Sequence, residues 1–372
     1  MEFLLTLSAS IAWIFPVLVV LTVLVFFHEL GHYWVARKNG VRVEVFSIGF
    51  GPELFGWNDR HQTRWKFSLI PLGGYVKMFG DADASSAADH EKLKKLTPAE
   101  KKQTLEGKTI PQKMAVVVAG PVANILVTML CFWVVFWVDG EPLQNPVVGD
   151  VMQGMPAWEA GIRPGDKVLF VGQQPIKTFR DMSRAIAKRP SEHVAIVYER
   201  GGFRAGVYVQ PTNQNGHGII GIAPQKGAHN GFTSAVAAVK GTLSLSWRML
   251  KMFGHFISGK EDSKQIGGLP SIAKMSKDAW SKGFLALLTF MAILSLNLGI
   301  INLLPVPVLD GGHLLFYAIE AIRGKPVGEK MQEFSYKIGF TLLISLMIYS
   351  HWNDFVRFKF FAVIQAFLTK LF

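Results

Sequence analysis

Cysteine is almost absent from this chain. Cys131 is the single one among 372 residues, so no intramolecular disulfide can form. Its setting in an apolar run reads as a small core or lipid-facing residue and leaves the redox compartment open. Basic residues are missing from the first 36 positions, the earliest being Arg37. A cleaved signal peptide begins with a basic segment, so the apolar run that opens the chain reads as a retained anchor. Acidic residues are also scarce, 27 against 39 Lys and Arg, for a net charge of +12. Such an excess can indicate nucleic acid, but beside membrane spans it usually reports topology, and no nucleic-acid partner is expected.

What the chain has in plenty is apolar side chains, which make up 50% of it. Four runs compare with the roughly 20 residues needed to cross a hydrocarbon core: about Leu4 to Val35, Met114 to Val138, Phe284 to Leu304, and a short one, Phe334 to Tyr349. Basic residues crowd the segment between the first two runs, from Arg37 to Lys113, and Arg323, Lys325 and Lys330 lie between the last two. The positive-inside rule puts both loops in the cytoplasm and both termini outside.

Between the first two runs, Arg64-Trp-Lys-Phe-Ser-Leu-Ile-Pro-Leu-Gly-Gly-Tyr-Val-Lys77 reads as a β-hairpin around a Pro-Leu-Gly-Gly turn, too short to span and therefore interfacial or re-entrant. Asp81 to Lys108 is charged and alanine-rich, a cytoplasmic linker with helical parts. Val147 to Thr212 reads as one compact α/β module, and its Ala160-Gly-Ile-Arg-Pro-Gly-Asp166 run resembles the PDZ domains of bacterial proteases. Phe232 to Ile257 is amphipathic, either an interfacial helix or a helix packed on that module. The tail after Phe355 lies on the membrane surface or continues the fourth span. The expected organisation is a membrane region over 1–142, a PDZ domain over 143–215, an amphipathic connection over 216–283, a second membrane region over 284–354 and an amphipathic tail over 355–372. The fold class is then a polytopic α-helical membrane protein of about four transmembrane helices, with a re-entrant β-hairpin and one inserted PDZ domain.

The first apolar run ends in His28-Glu29-Leu30-Gly31-His32. Histidines four apart on a helix share a face, about 6 Å apart along the axis, so both imidazoles can reach one metal. Zinc accepts such ligands, keeps a position open for water in catalytic sites and acidifies that water. Glu29 is then placed as general base. An accidental match is the bland alternative, but two histidines and a glutamate are costly in an apolar span, and ionisable groups there mark function by default. A catalytic zinc needs a third protein ligand. The third run leads to Asn302-Leu-Leu-Pro-Val-Pro307-Val-Leu-Asp310-Gly-Gly-His313, where Asp310 falls on the same membrane side as the histidines, with His313 a competitor. A turn or helix cap is the alternative role for Asp310.

These two motifs together resemble the paired signature of site-2 proteases. Gly49-Phe-Gly-Pro52, Pro71-Leu-Gly-Gly-Tyr-Val-Lys-Met78 and Ala119-Gly-Pro-Val-Ala-Asn124 add a likeness to the RseP-type group, the regulator of sigma-E proteases, over nearly the whole chain. The resemblance implies a zinc intramembrane endopeptidase with His28, His32 and Asp310 as ligands and Glu29 as base. It places Asn124, Asn297 and Asn302 near substrate or site, with interhelical hydrogen bonding as the other reading. It implies single-span substrates such as anti-sigma factors or signal-peptide remnants, a monomer in a bacterial inner membrane, a PDZ domain outside and a site near the cytoplasm. The PDZ domain would filter by size or read C-termini. Cleaving a helix requires unwinding it, and the hairpin edge (Phe67, Ser68, Leu69, Gly73, Gly74) could pair with the unwound strand, while Pro307 enforces irregular backbone nearby. Two departures from the enterobacterial pattern stand out: one PDZ domain where two are usual, and Leu269 between Gly268 and Pro270. A non-catalytic PDZ scaffold with a structural metal would need neither an open position nor Glu29. A metal transporter would carry ionisable residues in several spans, and spans two and four have few.

Overall fold

The structure is a computed structural model that describes residues 2–82, 90–214, 216–227, 230–259 and 267–358. The chain begins with helix α1 (Glu2–Lys38), strands β1 (Val43–Asn58) and β2 (Arg64–Met78), short helices α2 (His90–Lys95) and α3 (Pro98–Lys101), and the long α4 (Ile110–Asp139). A strand-rich stretch follows: β3 (Glu141–Pro142), β4 (Val148–Val151), α5 (Pro156–Glu159), β5 (Lys167–Val171), β6 (Gln174–Pro175), α6 (Phe179–Ala187), β7 (Val194–Arg200), β8 (Phe203–Val209), β9 (Thr212–Gln214), β10 (His217–Ile219), β11 (Ile222–Pro224) and β12 (Lys226–Gly227). The chain then returns to helix in α7 (Gly231–Ile257), α8 (Leu269–Ser281), α9 (Phe284–Asn302), α10 (Asp310–Arg323) and α11 (Glu329–Arg357). Two compact units result, one of residues 1–132 with 238–372, the other of 133–237.

Among the described residues three helices are long and apolar enough to cross a membrane: Ile14–Lys38 within α1, α4 and α9. The expected fourth run is helical and belongs to α11, which is not among these three helices. It docks through its far end. Asp354, fully buried, accepts hydrogen bonds from the backbone N–H groups of Gly268 (2.8 Å) and Ser271 (2.9 Å) and from the Ser271 hydroxyl. It thereby caps α8, which has no side-chain cap of its own. Of the expected tail, residues 359–372 lie outside the described residues, as do 83–89 of the linker.

The β region differs from a simple hairpin. The first part of β1, Val45 to Ile48, pairs on one side with Gly74–Lys77 and on the other with Arg64–Phe67, and the second part of β1 pairs with the far side of Arg64–Ser68. The two arms of β2 are therefore separated by β1 and do not pair with each other. Pro71-Leu-Gly-Gly connects them over the end of the intervening strand. Phe67 faces partners on both sides, and Ser68 is buried with its hydroxyl 3.1 Å from that of Ser47. Among the described residues no further strand pairs with the outer side of Gly74–Met78, where the Val76 N–H faces the Glu29 carboxylate and the Met78 N–H donates to Asp81 Oδ2 at 2.9 Å. Phe46, Val43, Val76 and Met78 bury their side chains with Tyr33, Ala36 and Val116 from α1 and α4, which ties the sheet to the helix that carries the histidines.

In the second unit, β6-β5-β7-β8 form an antiparallel sheet over a core that includes Ile162, Val168, Met182, Ile196 and Val209. Thr178 and Asp181 form a capping box at the start of α6. Asp166, from the motif that suggested this module, is fully buried and takes two hydrogen bonds from Arg200 and one from the Arg163 amide. The unit extends past residue 215, because β11 pairs with β4 and β12 with β3.

Candidate metal centre

The structure brings His28, His32 and Asp310 to one point. His28 Nε2 lies 3.2 Å from Asp310 Oδ2 and 3.2 Å from His32 Nε2, and His32 Nε2 lies 3.5 Å from Asp310 Oδ2. Tetrahedral bonds of about 2.0–2.1 Å place zinc ligands roughly 3.3 Å from one another. The Asp310 oxygen that faces the two rings is buried and makes no hydrogen bond. An orphaned carboxylate oxygen aimed at two imidazole nitrogens at this spacing fits a divalent cation with nitrogen and oxygen ligands. Asp310 is the first residue of α10, where the helix dipole favours an anion. Burial alone would raise its carboxyl, but the facing His32 and His28 hold it below the usual carboxylate range. His313 stays outside the cluster that could hold an ion. Its Nδ1 sits 3.4 Å from the Tyr336 hydroxyl.

Both rings are oriented from α4. His32 Nδ1 lies 2.9 Å from the Val116 carbonyl, so Nδ1–H donates and Nε2 is left for the ion. His28 Nδ1 lies 3.1 Å from the Asn124 side-chain amide, whose Oδ1 is buried without a partner. With Nε2 turned to the ion, Nδ1 carries the proton, and the amide rotated by 180° accepts it with Oδ1. Asn124 is fully buried and does not line the cavity. Its geometry is that of a residue that positions His28 and not of one that meets substrate. Asn297 is half-buried and also absent from the cavity wall, as are Phe67, Ser68, Leu69, Gly73 and Pro307. Asn302 does line it, with Nδ2 3.3 Å from His28 Nε2.

The cavity, about 200 Å³, is walled by His28, Glu29, His32, Gly74, Tyr75, Val76, Asn302, Asp310 and His313, among others. Glycines make the approach of its walls possible. A Cβ on Gly31 would sit 2.4 Å from the Ala119 carbonyl oxygen, and one on Gly120 2.2 Å from His32 Nε2. At Gly74 it would meet the Ser47 carbonyl at 2.6 Å and Glu29 Cγ at 3.5 Å. At Gly311 it would meet two carbonyls of the loop that precedes Asp310. Val308 has φ of 87°, a strained value for a β-branched residue, and lines the cavity two residues from Asp310. Sequence reasoning missed Gly120 and Val308 as parts of the site. Gly120 lay within a motif already noted, whereas nothing in the sequence signals the backbone of Val308.

A buried pair of histidines and a carboxylate, joined at the end of an apolar helix with a glutamate beside them, define a membrane-associated metal centre of hydrolytic type. Comparison with known proteins gives the family. Residues 16–346 match Peptidase family M50, and the chain belongs to it. It is 42% identical over 354 residues to a Rhizobium meliloti protein described as a putative zinc metalloprotease, covering 91% of this chain and 94% of that one. It is 39% identical to one so described in Agrobacterium fabrum, covering 92% and 95%, and 32% identical to the metalloprotease MmpA of Caulobacter vibrioides, covering 95% and 97%. Among solved structures, a PDZ domain of an SdrC-like protein from Listeria monocytogenes matches 22% of this chain and 88% of its own, at 20% identity and a TM-score of 0.20. The protein is a zinc metallopeptidase with apolar helices of membrane-spanning length.

Proposed function

We propose that this peptidase is a site-2 protease, cutting the membrane-spanning segments of single-span proteins such as anti-sigma factors or signal-peptide remnants. One observation carries the reading: the donor set and Glu29 lie on and beside an apolar helix long enough to span, at its junction with a strand that no further strand pairs among the described residues. In this reading His28, His32 and Asp310 hold the zinc. When bound, zinc supplies Lewis acidity, polarising a carbonyl and acidifying water. Glu29 takes the proton from the attacking water and returns it to the departing nitrogen. Val116 and Asn124 keep the two rings in register throughout. A helical substrate must unwind to expose its amide, and the Gly74–Lys77 stretch, short of the Met78 N–H that Asp81 holds, offers backbone partners to the extended segment beside Glu29, a β-addition at the cavity wall. This moves the expected pairing edge from Phe67 and Ser68 to Gly74 and its successors. Asn302, on the cavity wall, is placed to bond a substrate carbonyl freed from its helix.

The proposed setting is a bacterial inner membrane, with monomeric protein, both termini and the second unit on the outer side and the site near the cytoplasm. A groove of about 230 Å³ between α6 and Gly218–Ile222 supports a peptide-reading PDZ role for that unit. Co-expression with a tagged single-span substrate tests the assignment. Glu29→Gln should abolish cleavage with zinc retained, and Asp310→Ala should abolish both. Equal processing by the unaltered protein and both variants would leave a non-catalytic scaffold as the better account.

A further inference from the structure

A second cavity, of about 360 Å³, lies at the C-terminal end of α1 and away from the metal centre. It is lined by Arg37, Gly40, Val41, Arg42, His61, Gln62 and Gln103. Lys108 stands at its edge, its Nζ donating to the Gly40 carbonyl at 3.0 Å. Neither arginine has a carboxylate within 4.0 Å among the described residues. Arg42 lies instead over the Phe79 ring, 5.0 Å from its centre. The nearby acid, Asp59, is already saturated. Its Oδ2 accepts from the Tyr33 hydroxyl and the Trp65 indole, and its Oδ1 accepts from the backbone N–H groups of His61 and Thr63. Those bonds fix the loop that carries His61 and Gln62 to the cavity mouth. Gln62 is held there at φ 63°, a left-handed conformation uncommon for a residue with a side chain. Two guanidinium groups with no carboxylate within 4.0 Å among the described residues, Arg42 with only the more distant charge of Glu100 in reach, thus converge with an imidazole and two amide side chains on one concavity.

Depth identifies the class of ligand. α1 has 37 residues, Glu2–Lys38, so it is about 55 Å long at 1.5 Å per residue against roughly 30 Å of hydrocarbon, and its apolar run stops at Ala36, just before Arg37 and Lys38. Its last turns therefore reach headgroup level. Trp34, 73% exposed one turn before Lys38, suits the same interface. We propose that this cavity binds a phosphate-bearing anion, presented there by an anionic phospholipid headgroup, with Arg37 and Arg42 as the two principal contacts. The inference rests on α1 crossing the bilayer but not on the chemistry at the metal centre. Paired guanidinium groups suit a phosphate diester through forked hydrogen bonds, and basic cavities beside spanning helices are known headgroup sites.

Native mass spectrometry of the full-length protein released from nanodiscs of mixed phosphatidylglycerol and phosphatidylcholine tests this. The unaltered protein should retain phosphatidylglycerol preferentially. Arg37→Gln and Arg42→Gln should each reduce that preference about fivefold, and Lys38→Gln, adjacent but outside the cavity, should change it by less than about twofold. Zinc content serves as the folding control. If either arginine variant loses zinc, His61→Gln on the exposed loop supplies the reading, with a smaller loss expected. A parallel arm titrates inorganic phosphate against the detergent-solubilised protein and follows its melting temperature. Arginine-dependent retention of phosphatidylglycerol supports the headgroup site, whereas an arginine-dependent rise in melting temperature with no lipid preference assigns the cavity to a free phosphate and overturns the headgroup. Equal retention of both lipids with no response to phosphate, or a Lys38→Gln loss equal to that of the arginine variants, overturns it.

Discussion

Gly120→Ala probes the metal centre through a residue that touches no substrate. The added Cβ would stand 2.2 Å from His32 Nε2, 2.6 Å from His32 Cε1 and 2.8 Å from His28 Cε1. Ordinary carbon contacts begin near 3.4 Å, so a ring or the helix must move by roughly 1 Å. Metal–ligand distances tolerate about 0.2 Å, which makes ring displacement incompatible with full coordination. Retreat of α4 offers no escape, because the groups that hold both rings, the Val116 carbonyl at 2.9 Å and the Asn124 amide at 3.1 Å, belong to the same helix. Disturbing residues that merely orient a ligand costs about 10–100-fold in metal affinity. A direct clash with two ligands should cost at least the upper end of that range. The assay is zinc content of purified protein, with chelator competition and cleavage of a single-span substrate measured alongside. Gly254→Ala serves as control, since a Cβ there meets nothing within 4 Å. Gly120→Ala protein that holds zinc against chelator as firmly as the unaltered chain would refute the reasoning.

Three other outcomes are expected. Gly74→Ala pushes against the Ser47 carbonyl at 2.6 Å and should lower cleavage about tenfold or more with zinc retained; loss of zinc in proportion would instead tie this strand to metal binding. Asp354→Ala removes the cap of α8 and leaves two backbone N–H groups unsatisfied, a cost of about 1–3 kcal/mol for each, read as a lower melting temperature that Asp354→Asn partly restores. Asp81 is raised from 3.8 to about 7, chiefly by burial. The folded state therefore holds a proton that the unfolded state has released, and stability falls as pH rises between those values, by up to ~4 kcal/mol. Asp81→Asn keeps an acceptor for the Met78 amide and should raise the melting temperature at pH 8, with the gain shrinking toward pH 5. A gain that is independent of pH would sink that reading.

The catalytic helix was legible from sequence because its geometry is local: two histidines four apart need only one helix to meet. Asp310 was legible as a candidate because a zinc site is incomplete without a third ligand, its preference over His313 came from the family resemblance alone, and the fold leaves His313 outside the cluster. The strand edge was not legible. Which arm of Arg64–Met78 is exposed depends on where β1 inserts, and β1 was read only as a glycine motif. The fourth run was legible as a helix within α11, but its Ser, Tyr, His and Asn residues dilute the apolar stretch and leave its relation to a membrane undecided by composition. Asn124 was placed near substrate or site on likeness alone, and its full burial behind His28 favours the supporting role, a direction that a motif does not carry.

The glycines carry a lesson that residue types alone do not. Gly31, Gly74, Gly120 and Gly311 belong to four different elements, yet each is a point where one backbone meets another or meets a ligand ring. None contributes a functional group. A metal centre in an apolar bundle must bring ligands from distant helices within about 3.5 Å, and helices bearing ordinary side chains stay 8–10 Å apart at their axes. Small residues are what let membrane helices approach more closely. The helix α4, which donates no ligand, therefore governs the site twice: it lies close enough through Gly120 to back both imidazoles, and it turns them through Val116 and Asn124. Chemistry on α1 and α10 is consequently as sensitive to the packing of α4 as to the ligands themselves.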